Sequence, residues 1–290
     1  CPCKKLIAPA MNTRMFENPI LQDNLEKCRH YGMDIIMPDS GRLACGDVGS
    51  GKLPSEEVLV AAILKEIRYE KDMQGLKVLV TAGATQEAID PVRFISNHST
   101  GKMGFALAKT AMQRGADVTV VAAHTSAKEP LYVNIRRVSS AADMFEACKE
   151  EAKTADIIIK AAAVADYTPV ETADNKIKKS DDTMAITCKR TQDILAYLGA
   201  HKPDGQFLCG FSMETEHMLE NSEKKLEKKN LDMIVANNLK VKGAGFATDT
   251  NVVTLITKEE VKELPLMSKD EVANEILTQI LQRRCPENGQ

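Results

Sequence analysis

The chain has 290 residues, of which 43% are hydrophobic and 27% are charged, and its formal net charge is −3. This usage is typical of a globular protein with one large or two ordinary domains, and the slightly acidic balance excludes a global basic field for nucleic acid. No apolar run approaches the roughly 20 residues that cross a bilayer. The eight cysteines are scattered and form no C-x-x-C pair. We therefore expect a cytoplasmic protein with no zinc site, disulfide framework, nucleic-acid partner or membrane partner.

The first 73 residues are predicted to form a domain of their own. Turn signals interrupt them until residues 56–70, which are predicted to form a helix with Ser55 as its N-cap. Residues 46–52 have the spacing G-x-x-x-x-G-K of a phosphate-binding loop. Leu and Pro follow where Ser or Thr should hold magnesium, and residues 37–44 do not read as a strand, so such a loop is rejected. The glycines are interpreted as a flexible flap over a ligand, with a plain surface loop as the alternative.

Residues 74–290 alternate strands with helices, which is the pattern of a mostly parallel sheet covered on both faces. Strands are predicted at 76–85, 116–123, 134–140, 155–166, 207–214 and 232–238, helices at 99–115, 141–153, 192–200, 216–230 and 268–284, and a hairpin or edge strand at 251–265. The last helix has the capping box Ser268…Glu271. The fold class is therefore α/β and Rossmann-like. Three strand ends, TAGAT, AAAVAD and GFSMET, are expected to line one crevice.

A phosphate site is predicted where the first strand of this sheet leads into the first helix. The connection is about fifteen residues long, which is typical of functional loops, and it carries Arg93, Asn97 and His98. The pattern S-x-G-x-x-G at residues 99–104 then opens the helix, and the free N–H groups there favour an anion. Lys102 adds positive charge. Close packing of the helix on the strand is the alternative explanation of the glycines.

Further charged residues point to a nucleotide triphosphate. Lys176, Lys178 and Lys179 follow the segment AAAVADY, and they suit a triphosphate, although a solvated charge run is the alternative. Asp166 at a strand end suits magnesium or a ribose hydroxyl. A pair of lysines four residues apart, Lys225 and Lys229, shares one helix face; an exposed basic face is again the alternative.

Together these segments resemble a known family. Residues 81–104, 161–167, 175–179, 210–215 and 228–237 resemble, in order, the phosphopantothenate–cysteine ligase half of the bacterial bifunctional coenzyme A biosynthesis proteins. The segments APAMN (8–12) and ACGDVGSG (44–51) resemble the tail of its partner activity, phosphopantothenoylcysteine decarboxylase. The resemblance implies a small flavoprotein-type remnant of the decarboxylase at 1–73 and a complete ligase domain at 74–290. It also implies that the glycine loop covers a phosphopantothenoylcysteine site.

The resemblance also implies a reaction. The family ligase activates the carboxylate of 4′-phosphopantothenate with CTP and Mg²⁺, giving an acyl-cytidylate and pyrophosphate. The amine of cysteine then attacks and releases CMP. The small-molecule partners are thus 4′-phosphopantothenate, cysteine and CTP, and the family implies a homodimer through the ligase domain. FMN belongs to the full-length decarboxylase, so we expect this chain neither to bind FMN nor to decarboxylate.

The resemblance assigns roles to individual residues. The catalytic residues are Asn97, Lys176 and, as proton donor of the incomplete decarboxylase site, Cys45. The nucleotide-binding residues are Gly83, Ser99, Ala162, Asp166, Lys176, Asp193, Phe211, Lys225 and Lys229. The substrate-binding residues are Asn12, Arg93, Asn97 and Gly101. Asp166, whose place at a strand end suits magnesium or a ribose hydroxyl, is the candidate magnesium ligand. Lys52 departs from the family, which often has Arg at this position. The expected phosphate contact is weakened, because Lys cannot bind a phosphate bidentately.

Two other functions fit the strand–helix pattern. The first is an NAD(P)-dependent oxidoreductase, but the first turn lacks the G-x-G-x-x-G fingerprint. The second is a non-catalytic nucleotide-binding regulatory subunit, against which the set Asn97, Asp166 and Lys176 argues.

Overall fold

The structure, a computed structural model, describes residues 3–178, 183–214, 218–238 and 248–284. The chain divides into two compact units, Cys1–Asp72 and Met73–Gln290. The first unit contains β1 (Leu6–Ile7), α1 (Thr13–Phe16), α2 (Pro19–His30), β2 (Asp34–Ile35), β3 (Asp39–Arg42), β4 (Val48–Lys52) and α3 (Glu56–Ile67). The predicted N-cap is confirmed, because the Ser55 hydroxyl accepts from the Val58 amide at the start of α3.

The glycine run of the first unit is half of an antiparallel hairpin. β3 pairs with β4, so the expectation that residues 37–44 contain no strand is wrong. These polar, mostly exposed residues pair because the hairpin turn brings the two segments together. A phosphate-binding loop would run from a buried strand directly into a helix, and here two strands of a hairpin replace that arrangement. The structure therefore agrees with the rejection of a nucleotide site at Lys52.

The second unit is built mainly from one large sheet. Its elements are β5 (Lys77–Ala82), β6 (Gln86–Ala88), β7 (Phe94–Ser96), α4 (Lys102–Gln113), β8 (Asp117–Ala122), β9 (Asn134–Arg137), α5 (Ala141–Glu151), β10 (Ile157–Lys160), β11 (Tyr167–Pro169), β12 (Cys188–Arg190), α6 (Ile194–Ala200), β13 (Phe207–Glu214), α7 (Met218–Lys228), β14 (Met233–Asn238), β15 (Thr250–Asn251), β16 (Val253–Ile256), β17 (Val261–Glu263), β18 (Met267–Ser268) and α8 (Lys269–Arg284). Among the described residues the sheet has eight strands in the order β17-β16-β14-β13-β10-β5-β8-β9.

The predicted α/β class is confirmed by the direction of these strands. The six strands from β14 to β9 run parallel, and β16 and β17 add an antiparallel edge. The segment 251–265 thus forms the predicted hairpin. The predicted capping box is also present, because the Glu271 carboxylate accepts from the Ser268 amide at 2.8 Å and the Ser268 hydroxyl accepts from the Glu271 amide at 3.3 Å.

Alternating side chains of the sheet belong to two separate cores. Ile157 and Ile159 of β10 pack in the core that α4 and α8 share, whereas Ile158 packs in the core of α5, α6 and α7. Helix α4 is buried around most of its circumference, since even the polar residues Thr110 and Gln113 are buried. The physical reason is that α4 lies between the sheet and α8.

Two connections are more ordered than their sequences suggested. The long connection after β5 folds into the antiparallel hairpin β6–β7. The segment after Asp166, expected to be a lysine-bearing loop, begins with β11, which pairs with β12. Strand β10 ends at Lys160, earlier than predicted, so AAAVAD forms a loop. This loop pairs with the residues that follow β5 through an isolated β-bridge between Ala84 and Ala163. These departures all lie at the carboxyl edge of the sheet.

Candidate functional site

A cavity of about 520 Å³ opens at the carboxyl edge of the parallel strands. Its lining comes from the connections that follow β5 and β10, the start of α4 and the ends of β10 and β13, together with side chains from α7, β14, β15 and α8. The lining residues are Asn97, His98, Ser99, Thr100, Gly101, Lys102, Met103, Gly104, Lys160, Ala161, Ala162, Ala163, Val164, Asp166, Phe211, Ser212, Met213, Lys225, Asn237, Asn251 and Lys269. This is the position at which open α/β sheets bind ligands.

Seven residues assigned from the sequence line this cavity together. They are Asn97, Ser99, Gly101, Ala162, Asp166, Phe211 and Lys225. Two of the three predicted strand ends, AAAVAD and GFSMET, contribute directly. The third, TAGAT, lies behind the lining, where the Thr81 hydroxyl accepts from the Ala162 amide at 3.0 Å. The predicted crevice therefore exists, but TAGAT supports its wall.

The start of α4 lies directly against strand β5. Gly101 is the N-cap residue, with φ of +80°, and a Cβ there would lie 2.6 Å from Thr125 Cγ2. Gly104 packs against the strand itself, since its Cβ would lie 2.7 Å from Ala82 Cβ and 2.9 Å from the Thr81 carbonyl oxygen. Close helix–strand packing thus explains the second glycine. The same packing presents the N-terminal amides of α4 to the cavity, where they favour an anion.

Replacing Gly104 with Ala tests this packing. Alanine normally stabilises a helix interior by up to about 1 kcal/mol relative to glycine, but here the methyl group must displace the helix from Thr81 and Ala82. We expect a net loss of about 1–2 kcal/mol in the free energy of unfolding, because overpacking costs roughly 1–3 kcal/mol. Urea denaturation measures the change. An increase in stability would contradict the close approach.

The residue Gly83 is held away from the cavity. A Cβ at Gly83 would lie 2.4 Å from the His124 carbonyl oxygen, and Gly83 does not belong to the lining. The structure therefore gives it a packing role beneath Gly101. Its assignment to the nucleotide stays a prediction.

An ion pair stands beside the cavity rather than in its lining. Lys229 Nζ lies 2.8 Å from Asp193 Oδ2, and Asp193 also caps α6 by accepting from the Ala196 amide at 3.0 Å. Partial burial raises the pKa of Asp193, but the hydrogen bonds from Lys229 and Ala196 outweigh it and leave the pKa below its usual value. Asp193 and Lys229, assigned separately to the nucleotide, are thus brought together as partners.

Four lining residues lie outside the segments that the sequence predicted to form the site: Lys160, Asn237, Asn251 and Lys269. Asn251 Nδ2 donates to Asn237 Oδ1 at 2.9 Å. Lys269 is buried and donates through Nζ to the Thr248 carbonyl oxygen at 2.5 Å. Burial, and then the positive charge of Lys102, lower the pKa of the Lys269 ammonium. Only Lys160 had a sequence signal, because a charged residue there interrupts an otherwise apolar run.

Lys160 ends strand β10 on the side of the sheet that carries Ile158, α5 and α6. Its surroundings include Asp166 and the Asp193–Lys229 pair, and burial lowers the pKa of its ammonium group. A partly buried cation at the floor of a polar cavity is costly to desolvate. The Lys160 ammonium is therefore well placed to bind an anionic group of a ligand.

Like Gly83, Asp193 and Lys229, the assigned residues Arg93 and Lys176 lie outside the cavity lining. Arg93 Nε donates to Asp90 Oδ2 at 2.9 Å, and its Nη2 donates to the Ile177 carbonyl oxygen at 2.8 Å. Lys176 is exposed on the segment that follows β11. Lys178 is likewise exposed, whereas Lys179 of the same cluster lies outside the described residues. The structure does not bring Arg93 or Lys176 into the lining, and their roles stay predictions.

The first unit brings together the two motifs singled out there. Asn12 Nδ2 donates to Cys45 Sγ at 3.2 Å and to Asp47 Oδ2 at 3.1 Å. The backbone supports this arrangement, because the Met11 amide donates to the Gly51 carbonyl oxygen and a Cβ at Gly51 would lie 2.2 Å from the Met11 carbonyl oxygen. The glycine is thus required for the close approach of hairpin β3–β4 to residues 8–12.

Two other features, a membrane-spanning helix and a preformed metal site, are absent from the residues that the structure describes. No helix among them is long and apolar enough to span a bilayer. No group of three or more His, Cys, Asp or Glu side chains in them could by itself hold a metal ion. Asp166 still fits a magnesium ion that arrives with phosphates, since Mg²⁺ commonly uses one or two carboxylates, several waters and substrate phosphate oxygens.

The fold and the cavity define a Rossmann-like α/β protein with a polar ligand site at the carboxyl edge of its sheet. The model of the DNA/pantothenate metabolism flavoprotein C-terminal domain matches residues 73–283, and that of the Flavoprotein family matches residues 1–68. The chain is 47% identical over 278 residues to the coenzyme A biosynthesis bifunctional protein CoaBC of Bacillus subtilis, covering 94% of this chain and 68% of the relative. Its identity to the CoaBC protein of Vibrio vulnificus is 44% over 276 residues, covering 94% and 69%.

A solved structure agrees with these matches. The C-terminal domain of a CoaBC protein superposes with a TM-score of 0.62 at 47% identity, covering 72% of this chain and 98% of that one. The chain therefore belongs to the family of bifunctional coenzyme A biosynthesis proteins, with a flavoprotein segment followed by a DNA/pantothenate metabolism flavoprotein C-terminal domain. The predicted order of the two parts is confirmed. That the first part is a remnant beside a complete ligase half stays a prediction.

Proposed function

We propose that the second unit is a phosphopantothenate–cysteine ligase that uses CTP. The observation that carries this proposal is the joint lining of one cavity by Asn97, the start of α4, Asp166 and Lys225. Family membership supports the reaction class. The overall reaction joins the carboxylate of 4′-phosphopantothenate to the amine of cysteine and splits CTP into CMP and pyrophosphate.

The first half of the reaction forms an acyl-cytidylate. The carboxylate attacks the α-phosphorus of CTP, and pyrophosphate leaves with the electron pair of the broken bond. Negative charge builds on the leaving group, so the residues needed are cationic or N–H donors. The start of α4 and Lys225 line the cavity, so the α4 amides and the Lys225 ammonium would supply such groups, and Lys176 would act from the segment after β11. Mg²⁺, held by phosphates and Asp166, would neutralise further charge.

The second half transfers the acyl group to cysteine. The amine attacks the acyl carbon, CMP leaves, and the carbonyl oxygen carries negative charge in the transition state. A neutral donor near that oxygen would stabilise it. Asn97 is proposed to supply this donor, which is supported by its place in the cavity lining and by its Nδ2, which donates to the Val164 carbonyl oxygen of the cavity wall at 3.1 Å. The ligand carbonyl would take over this hydrogen bond when the intermediate forms.

Lys160 is expected to contact the nucleotide in this reaction. Replacing Lys160 with Met keeps most of the side-chain length but removes the charge that faces the cavity. We expect the KM for CTP to rise roughly 10-fold or more, since a hydrogen bond to a charged group contributes about 1.5–3 kcal/mol. Steady-state kinetics with varied CTP measures the effect. Lys153→Met, an exposed lysine after α5, is the control, and an unchanged KM in Lys160→Met would contradict the contact.

The first unit is proposed to supply part of a phosphopantothenoylcysteine decarboxylase. Cys45 would be its proton donor and Asn12 its substrate ligand, and the contact between them supports this pairing. FMN would be held by the full-length decarboxylase. The ligase domain is further proposed to act as a homodimer in the cytoplasm.

Pyrophosphate release tests the ligase proposal. The chain is incubated with 4′-phosphopantothenate, magnesium and cysteine, and CTP is compared with ATP. Release that requires phosphopantothenate and prefers CTP is expected. Release of no pyrophosphate with either nucleotide, from folded protein, would contradict a ligase. Absorbance at 340 nm with NAD(P) and mixed substrates would reveal the oxidoreductase alternative, for which the cavity shows no fingerprint glycines.

A further inference from the structure

A buried carboxylate lies in the turn of hairpin β6–β7. Asp90 is 2% exposed, and its two oxygens accept different sets of donors. Oδ1 accepts from the amides of Val92 and Arg93, each at 2.8 Å. Oδ2 accepts from Arg93 Nε at 2.9 Å, from Arg93 Nη2 at 2.5 Å and from the Ile177 amide at 3.1 Å. The donors to Oδ1 lie within the turn, whereas Oδ2 also binds the backbone amide of Ile177, 87 residues along the chain.

The distant segment carries the predicted catalytic lysine. Ile177 lies between Lys176 and Lys178, and both of its backbone polar groups are engaged, since its carbonyl oxygen accepts from Arg93 Nη2 at 2.8 Å. Two further hydrogen bonds hold the same segment: Ala173 N donates to the Ile89 carbonyl oxygen at 3.0 Å, and Thr172 Oγ1 donates to the Ala88 carbonyl oxygen at 3.2 Å. The segment 172–177 is therefore fastened along the end of β6.

This arrangement is chemically specific. A buried carboxylate is costly unless its oxygens are satisfied, and Asp90 satisfies its own with five donors. The Arg93 guanidinium holds the pKa of Asp90 well below its usual range, against the opposing effect of burial. The group therefore stays charged throughout the neutral range. Arg93, assigned from the sequence to the substrate, already has a structural use in this pair.

We propose that Asp90, acting with Arg93, is a positioning residue that fixes the backbone of Ile177 and so places Lys176 for the first half of the reaction. Asp90 contacts neither substrate nor reacting atoms and acts only through the lysine segment. This inference rests on the proposed ligase function. That residues 172–177 are held along the end of β6 follows from their hydrogen bonds and does not depend on the ligase function.

Asp90→Asn separates the two functions of the carboxylate. The amide oxygen can still accept from Val92 and Arg93 in the turn, so the hairpin keeps its local bonds. The new amide nitrogen then faces the Arg93 guanidinium and the Ile177 amide. All of these groups are hydrogen-bond donors, so the bonds that Oδ2 accepted from Arg93 and Ile177 are lost. The variant is thus expected to fold while losing the hold on the segment. Asp204→Asn, in an exposed turn, is the matched control.

A double-mutant cycle with Lys176→Gln tests the route of action. We expect Asp90→Asn to lower kcat for CTP-dependent pyrophosphate release about 10- to 100-fold, as small misplacements of catalytic groups do. In the Lys176→Gln background the same change should have less than about a twofold effect, because the lysine it positions is absent. A full effect in both backgrounds would overturn the proposal, since Asp90 would then act independently of Lys176.

Amide hydrogen exchange provides a readout that does not need activity. In Asp90→Asn, the amides of residues 172–177 should exchange at least about 10-fold faster, while those of β10 stay protected. Unchanged exchange at Ile177 would overturn the fastening itself. Faster exchange everywhere would overturn it as well, because the effect would then be global unfolding. If the wild-type chain releases no pyrophosphate, the ligase proposal fails, whereas the exchange result still decides whether Asp90 holds this segment.

Discussion

Asn97→Asp is expected to accumulate the acyl-cytidylate. The change preserves shape but replaces the NH₂ donor with a carboxylate, beside an acyl carbonyl that gains negative charge when cysteine attacks. Loss of a hydrogen bond to a charged group, about 1.5–3 kcal/mol, slows the step roughly 10- to 150-fold. Pyrophosphate release in a single turnover should continue, because the first half does not depend on this donor. Quenched-flow product analysis measures the intermediate and the final product separately.

The position of Asn97 in the structure gives this prediction its physical basis. Its Nδ2 donates to the Val164 carbonyl oxygen at 3.1 Å, so the donor is already aimed at the cavity wall that carries AAAVAD. An Asp at this position would face that carbonyl oxygen with an acceptor. Asn18→Asp is the matched control. Asn18 caps α2 in the first unit, and Asp caps a helix equally well, so this substitution should leave both halves of the reaction unchanged. Equal slowing of both halves in Asn97→Asp would show that Asn97 has no special part in the second half.

Lys176→Gln is expected to block the reaction one step earlier. Without the ammonium group, charge on the departing pyrophosphate is not neutralised, and we expect single-turnover pyrophosphate release to fall on the order of 100-fold or more. No acyl-cytidylate should accumulate, in contrast to Asn97→Asp. The two variants thus distinguish formation of the intermediate from its consumption. If both stalled at the same stage, the assignment of separate roles would be wrong.

The control for Lys176→Gln lies on the same arm of the structure. Lys189 is exposed on β12, the strand that pairs with β11, and Lys189→Gln removes an equal charge away from the lysine segment. Its pyrophosphate release should stay close to that of the wild-type chain. A comparable loss in Lys189→Gln would mean that general positive charge on this arm, rather than Lys176 itself, supports the first half.

Local signals in the sequence were sufficient for the architecture. Ser55, the pair Ser268 and Glu271, and the strand–helix alternation all predicted elements that the structure contains, because caps and periodicity act within a few residues. The same holds for the edge hairpin at residues 251–265. Strand ends were less accurate, as in β10, because the loop that follows Lys160 begins AAAVA and is as apolar as the strand itself.

The sequence by itself determined the α/β class, the family and most of the residues that line the cavity, since these depend on periodicity and on contiguous motifs. Only the tertiary structure decided which distant groups meet. It placed Lys160 and Lys269 in the cavity wall, paired Lys229 with Asp193, and joined Asp90 to Ile177 across 87 residues. Such pairings depend on sheet register and on how connections fold over the strand ends, and no short stretch of sequence encodes either.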